Sequence, residues 1–200
     1  MKAETPICPG ATTREDQPAA GRPGPFGLYR GMTKEQVIEL VGANSVNENG
    51  GDYLRLAAVP RQHPAFQETI LKFSPLQGLL KIAAFTPTII ANSFGDQLRE
   101  PFKSIRAALL SAYGSPTSDF DFVHAGSIWT DDHDWMQGLA LAERILSSYW
   151  QFGAPRNGIT TIALTCTAVS HQEGMLTLSY EFDGWDQYVA EQEKQTNAVF

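Results

Sequence analysis

The chain has 200 residues, of which 42% are hydrophobic and 18% are charged, and its formal net charge is −7. This apolar content is sufficient for the chain to fold on its own, and no stretch approaches the roughly 20 consecutive apolar residues that cross a bilayer. No apolar segment precedes Cys8 near the beginning of the sequence. We therefore expect no signal peptide and a cytoplasmic location.

The charge is distributed unevenly along the chain. Residues 1–118 carry 12 Lys and Arg against 10 Asp and Glu, a net of +2, whereas residues 119–200 carry 3 against 12, a net of −9. An anionic surface disfavours nucleic acids and anionic membranes. It favours a basic protein partner, whose approach it would accelerate. The alternative is that the acidic residues only keep the protein soluble.

Composition and the order of predicted elements divide the chain into three parts. Residues 1–25 are rich in proline and glycine, which predicts an extended arm. Residues 26–91 form a first unit of helix and antiparallel sheet, and residues 92–200 form a second, acidic unit of helices and sheet. We expect an α+β protein in which helices cover one face of antiparallel meanders, with both units in one compact body.

The first unit opens with a predicted helix over residues 31–42. Thr33 and Gln36 fit a capping box, and Gly42 suits a left-handed C-terminal cap. The apolar stripe of this helix consists of Val37, Leu40 and Val41. The polar residues 44–52 that follow are predicted to form a turn.

The second unit is predicted to begin with a helix that has Pro101 in its first turn and stops at Gly114. A loop over residues 117–130 leads to a third helical segment over residues 132–144. A short helix is expected after Gly184. The strands predicted in the two units cover residues 53–59, 67–73, 79–85, 146–152, 159–169 and 175–182, with a turn at residues 153–158.

The segment Gly31-Met32-Thr33-Lys34-Glu35-Gln36-Val37, together with the closing Gly42, resembles the opening of the SmpA/OmlA, or BamE-like, family. The helix-then-sheet unit, used about twice, resembles the architecture of β-lactamase inhibitor proteins. These resemblances imply a fold that is often used to bind other proteins. BamE-like relatives include an outer-membrane assembly lipoprotein, but this sequence lacks the leader and lipobox of that version. No binding residue can be carried over, because no contact motif matches.

Motifs for common catalytic chemistry are missing from the sequence. It has no Gly-x-Ser-x-Gly elbow, no phosphate-binding loop, no Cys-x-x-Cys and no His-Glu-x-x-His. Cys166 lies in a strand-like run and is interpreted as a small buried residue. The four histidines fall in predicted loops. We therefore expect no enzymatic activity and no cofactor.

Five carboxylates and two histidines fall within residues 119–134, which we call the acid-rich segment. Oxygen and imidazole ligands could bind a divalent metal that activates water. Carboxylates at the start of a helix could instead complement its dipole. A third interpretation is a surface that contacts a basic partner, with Trp129 as its apolar anchor. The residues of this predicted partner-binding site are Asp119, Asp121, Trp129, Asp131, Asp132 and Asp134.

Two further features have alternative interpretations. Trp135 is spaced on the third helix with Leu139, which favours packing in the core. The face formed by Arg99, Lys103 and Arg106 could bind phosphate, but such a face is more often simply solvated.

The sequence favours a protein-binding inhibitor or immunity-type protein that occupies the cleft of a basic enzyme or toxin with an acidic surface. An alternative is a BamE-like envelope assembly or structural component whose leader has been removed. A metal-dependent enzyme that uses the Asp and His cluster is a third. For the inhibitor or immunity function, we expect a basic protein as the partner and no contact with nucleic acid or with a membrane.

Overall fold

The computed structural model describes residues 24–197, which contain four α-helices and nine β-strands. The helices are α1 (Lys34–Val41), α2 (Asp96–Tyr113), α3 (Trp135–Ala140) and α4 (Trp185–Asn197). The strands are β1 (Val46–Asn49), β2 (Tyr53–Leu56), β3 (Glu68–Ser74), β4 (Gly78–Phe85), β5 (Ile89–Ile90), β6 (Ser118–Val123), β7 (Arg144–Arg156), β8 (Ile159–Ala168) and β9 (Glu173–Phe182). The predicted α+β class is confirmed. The predicted arm, apart from residues 24 and 25, lies outside the described residues.

All the strands belong to one antiparallel sheet with the order β1-β2-β3-β4-β9-β8-β7-β6, and the short β5 also pairs with β9. Each predicted unit contributes one meander, β1 to β4 and β6 to β9. The last strands of the two meanders, β4 and β9, lie side by side from the Lys81–Glu181 pair to the Phe85–Thr177 pair. The sheet therefore runs without a break through both units.

The sheet has one face covered by helices, which we call the helix face. Buried and less buried residues alternate along β3, β8 and β9, as expected for a sheet with one face in the core. Leu71, Ile82 and Leu164 are fully buried in this core. Helix α2 contributes Leu98, Phe102, Ile105 and Leu109 to it.

The other face, which we call the open face, carries small and polar residues such as Ser179 and Ala163, which pair across β9 and β8. Helix α4 lies on this face over the first meander. The Trp185 ring stands 4.7 Å from Lys81 Nζ, and the Tyr188 hydroxyl donates a hydrogen bond of 2.8 Å to Asp52 beside β2.

Helix α1 forms largely as its sequence predicts. Both hydrogen bonds of the capping box between Thr33 and Gln36 are present, and Gly42 has a φ of 81° at the C-terminal cap. The predicted apolar stripe is partly wrong. Val37 is fully buried and Val41 is half-buried, but Leu40 is 51% exposed.

Helix α2 begins at Asp96, before the predicted position. Pro101 lies inside the helix rather than in its first turn, where its missing N–H leaves the Gln97 carbonyl without a helical partner. The earlier start depends on Asn92. Its side chain donates to the Asp96 carboxylate at 2.9 Å and accepts from the Asp96 N–H at 3.2 Å, which satisfies one of the free donors at the helix start.

Two predicted irregular segments contain strands. The predicted loop over residues 117–130 includes β6, and the predicted turn over residues 44–52 includes β1. In β6, Asp119 and Asp121 alternate with Phe120 and Phe122, which is the period-two pattern of a strand at a sheet edge.

The predicted third helix over residues 132–144 is shorter in the structure. A 3-10 turn at Asp132–Asp134 leads into α3, which ends at Ala140. Strand β7 begins at Arg144 and continues to Arg156, through most of the turn predicted at residues 153–158. Among residues 24–197, no helix is both long and apolar enough to cross a membrane.

Candidate partner-binding site

The structure separates the predicted site residues into two groups. Asp119 and Asp121 lie on β6, the edge strand of the second meander, and not in a loop. Asp131, Asp132 and Asp134 lie at the 3-10 turn that leads into α3. The two groups share the acid-rich segment but have different surroundings.

Asp119 is held by two side chains from other elements. Its carboxylate accepts from Arg106 Nε on α2 at 3.1 Å, from the terminal nitrogen of the same guanidinium, and from the Ser148 hydroxyl on β7. Burial alone would raise the pKa of Asp119, but these hydrogen bonds and the charge of Arg106 hold the pKa below its ordinary value. Asp119 therefore has a structural role.

The basic face of α2 lies opposite the two acidic residues of β6. A cleft of about 490 Å³ between α2 and β6 is lined by both sets of charges and by Phe102, Phe120 and Leu146. Each cation of this face already has a partner. Arg106 pairs with Asp119, Lys103 Nζ lies 2.8 Å from Glu100, and Arg99 stacks on the Trp135 ring at 5.7 Å. The face for which phosphate binding was the less favoured interpretation thus forms contacts within the protein.

Asp131 and Asp132 are exposed and form no ion pair with any residue in the range 24–197. Asp134 is half-buried, and its Oδ1 lies 3.3 Å from His133 Nε2. Neither Asp131 nor Asp134 caps the turn or helix that follows through its side chain. Asp132 and Asp134 lie in the first turn of the 3-10 segment, so the interpretation in which carboxylates complement the helix dipole stays a prediction.

Asp131, His133 and Asp134 place one potential ligand atom each within 4.8 Å of one another. The group has three members, and Asp131 and His133 are exposed. Structural zinc sites use four ligands and calcium sites six to eight. We derive no metal chemistry from this turn.

The tryptophans flanking this turn differ in exposure. Trp135 is 1% exposed, and a Cβ added at Gly95 would stand 2.0 Å from its ring, so the indole belongs to the core as predicted. Trp129 is half-buried and packs beside Gly138 of α3. The most exposed apolar side chain of the acid-rich segment is Ile128, at 78%. No pattern in the surrounding sequence indicates that Ile128 is exposed.

Carboxylates from residues 119–200 pair with cations from residues 1–118. These contacts reduce the separation of charge along the sequence, so the folded surface is less polarised than the net charges of +2 and −9 suggest. The pairs are Arg106–Asp119, Lys81–Glu181 at 2.7 Å and Arg30–Asp183 at 3.5 Å.

Four aromatic side chains, which we call the aromatic row, line the β6 edge. The Phe120 ring lies 6.0 Å from both Tyr149 and Phe122, and Phe122 lies 5.2 Å from His124. Phe120 and Phe122 are 38% and 39% exposed. This row is not among the predicted site residues, although the alternation Ser-Asp-Phe-Asp-Phe-Val indicates an edge strand with its phenylalanines on one face.

Cys166 is 8% exposed, which confirms its prediction as a buried residue, and burial raises the pKa of its thiol to about 12. A thiol with this pKa is a poor nucleophile at neutral pH.

Comparisons with protein-family models, with characterised proteins and with solved structures found no significant match to this chain. The BamE-like resemblance therefore stays a prediction.

Proposed function

We propose that this protein is an inhibitor or immunity-type protein that neutralises a basic enzyme or toxin by occupying its cleft. One observation carries the proposal: Asp131 and Asp132 are exposed and without an ion pair among the described residues, a few positions from the exposed Ile128. Carboxylates of this kind can pair with a partner without first breaking contacts within their own protein.

The proposed contact surface differs from the predicted set of six residues. Asp119 leaves it, because its carboxylate is bound by Arg106 and Ser148. Ile128 takes the role of apolar anchor, since Trp129 is partly covered by α3. An exposed apolar side chain with a charged rim matches the usual arrangement of a binding hot spot.

The mechanism is steering followed by occlusion. The exposed carboxylates at the turn attract a positively charged cleft and raise the association rate at low salt. Burial of Ile128 then excludes water around the charge pairs, which slows dissociation. This mechanism needs no chemistry from the protein itself.

Affinity capture from the native host tests the proposal. We expect the full chain to retain a stoichiometric basic protein, and the Asp131→Asn/Asp132→Asn variant to bind it about tenfold more weakly. The matched control is Asp186→Asn/Glu193→Gln on α4, which removes the same charge from exposed positions elsewhere. The captured protein is then assayed with and without an equimolar amount of the chain.

Three results would contradict the proposal. The first is capture of no stoichiometric protein, and the second is a partner that is not basic. The third is equal weakening by the turn variant and the α4 variant, which would indicate an effect of net charge alone.

A further inference from the structure

The two edges of the sheet differ in how well they are protected against pairing. Strand β1 at one edge has four residues, is interrupted by an irregularity between Val46 and Glu48, and is mostly exposed and polar. Strand β6 at the other edge has six residues in unbroken register with β7 and contains neither proline nor lysine. Proteins usually blunt an edge with bulges, prolines, lysines or short strands. Charged side chains also protect edges, and β6 carries two of them, Asp119, which is paired with Arg106, and Asp121. Strand β1 is therefore blunted, whereas β6 is protected by charge alone.

The backbone groups of β6 that point away from the sheet can be identified. The His124 N–H donates to the Glu143 carbonyl at 2.7 Å, directly beyond the last pair of the β6–β7 ladder. Because hydrogen-bonded pairs alternate in antiparallel strands, Phe120 and Phe122 direct their N–H and C=O groups toward β7. The same groups of Asp119, Asp121 and Val123 point outward. No strand within residues 24–197 pairs with them.

The side chains along this edge present two different surfaces. On the open face, the aromatic row offers an apolar strip. On the helix face, Asp121 is exposed and forms no ion pair among the described residues, while Arg106 is already bound to Asp119. Arg99 and Lys103 of α2 line the same cleft but are held by the Trp135 ring and by Glu100. The charge on β6 itself that lacks an ion pair among the described residues is therefore the negative charge of Asp121. Asp131 and Asp132 follow ten and eleven residues after Asp121 on the same chain segment.

We propose that β6 binds an extended strand of the basic partner, which adds to the sheet beyond this edge. The added strand has alternating apolar and basic side chains. Its apolar residues pack across from Phe120 and Phe122, and its basic residues lie near Asp121. Outward N–H and C=O groups supply main-chain hydrogen bonds, and the alternating side chains supply specificity. Only the basic character of the partner rests on the proposed function.

A synthetic probe tests the edge without knowledge of the partner. The probe is a fluorescently labelled ten-residue peptide of alternating valine and lysine, with two matched peptides. One has glutamate for lysine, and the other has proline at the two adjacent central positions, one valine and one lysine, so that an N–H facing β6 is lost whichever direction the added strand runs. Binding to the full chain is followed by fluorescence anisotropy. We expect the lysine peptide to bind, and the glutamate and proline peptides to bind at least about tenfold more weakly.

Two substitutions at one position separate charge from main-chain pairing. Asp121→Asn removes the charge but keeps the outward N–H, whereas Asp121→Pro removes both. Proline is tolerated at an outward position of an edge strand, so the β6–β7 ladder should survive. We expect Asn to weaken peptide binding several-fold and Pro to weaken it a further tenfold or more. Val123→Pro, which also removes an outward N–H, serves as the second variant if Asp121→Pro fails to fold.

Amide hydrogen exchange on the unaltered full chain provides an independent measurement. The amides of Asp119, Asp121 and Val123 should exchange fast in the free protein and become protected when the lysine peptide binds. Equal peptide binding by the Asn and Pro variants, or protection of these amides before any peptide is added, would overturn the inference. So would a dimer of the chain that Asp121→Pro abolishes, because the edge would then serve a second copy.

The failures of the two proposals are distinguishable. If only the edge inference is wrong, Asp131→Asn/Asp132→Asn weakens capture of the native partner while Asp121→Pro does not. If only the proposed function is wrong, the lysine peptide still binds and protects β6 although no basic partner is captured.

Discussion

At the scale of single residues, the carboxylates of the acid-rich segment have two kinds of role. Asp119 bridges α2 and β7, since Arg106 and Ser148 both donate to it. Asp131 and Asp132 are exposed at a turn, without an ion pair in the described part of the chain. A substitution should therefore affect stability at the first position and binding at the other two.

Asp119→Ala is expected to lower the free energy of unfolding by about 1–3 kcal/mol. The hydroxyl of Ser148, a residue with 0% exposure, would lose its acceptor while remaining buried. Urea denaturation measures the effect as a lower midpoint with an unchanged slope. Asp121→Ala on the same strand face is the control and should change the free energy by no more than about 0.5 kcal/mol. Similar losses for both variants would show that the Ser148 contact is not the cause.

At the scale of secondary structure, elements with short-range determinants could be predicted. Both capping-box bonds of α1 join Thr33 to Gln36, three positions apart, so the helix start is visible in the sequence. The predicted start of α2 was wrong because proline is common in the first turn of helices, which favoured a start close to Pro101. The hydrogen bonds between Asn92 and Asp96 set the observed start. Strand β6 was missed because its acidic composition outweighed the period-two pattern of its phenylalanines.

The candidate site could be predicted only in part, because its partners come from distant parts of the chain. Composition drew attention to the acid-rich segment. It could not reveal that Arg106 and Ser148, which are 13 and 29 positions from Asp119, donate hydrogen bonds to that carboxylate. The contact between Phe120 and Tyr149 likewise depends on the pairing of β6 with β7. Long-range pairing therefore decides which acidic residues remain available to a partner.

Helix α4 is attached to the open face by a small polar contact. Tyr188 is 6% exposed and donates to Asp52, which also accepts from Lys72 at 3.0 Å. Burial and the hydrogen bond to Asp52 raise the pKa of Tyr188 to about 12. Burial would raise the pKa of Asp52, but the hydrogen bonds from Tyr188 and Lys72 hold it below its ordinary value. The contact thus favours a neutral phenol and an ionised carboxylate.

Tyr188→Phe is expected to cost about 1 kcal/mol of stability at neutral pH. The folded pKa of Tyr188 lies above its unfolded value of about 10, so the contact contributes fully below pH 10 and is lost as the pH rises toward 12. The difference in unfolding free energy between the unaltered chain and the variant should therefore disappear over that window. Urea denaturation at pH 8, 10 and 12 measures it, with the exposed Tyr29→Phe as control. A difference that persists at pH 12 would contradict the role of the phenol.

At the scale of the whole molecule, the two units are joined by backbone and by charge. The β4–β9 ladder runs through the middle of the sheet, and the Lys81–Glu181 pair of 2.7 Å lies directly across it. Arg30 and Asp183 form a second contact between the chain's beginning and end. An isolated first unit would expose the edge of β4 to solvent. Cooperative unfolding of both units follows from this connection.

Leu71→Ala in the first unit is expected to lower the unfolding midpoint reported from the second unit. Leu71 is fully buried, and its truncation should cost about 2–5 kcal/mol. The four tryptophans lie at positions 129, 135, 150 and 185, but Trp185 contacts Lys81 of the first unit. The measurement therefore uses a Trp185→Phe background, in which the other three tryptophans report on the second unit. Far-ultraviolet circular dichroism reports on the whole sheet, and both signals should shift together, as they should in Leu164→Ala. If Leu71→Ala produces an early change in circular dichroism while tryptophan fluorescence keeps its midpoint, the two units unfold independently.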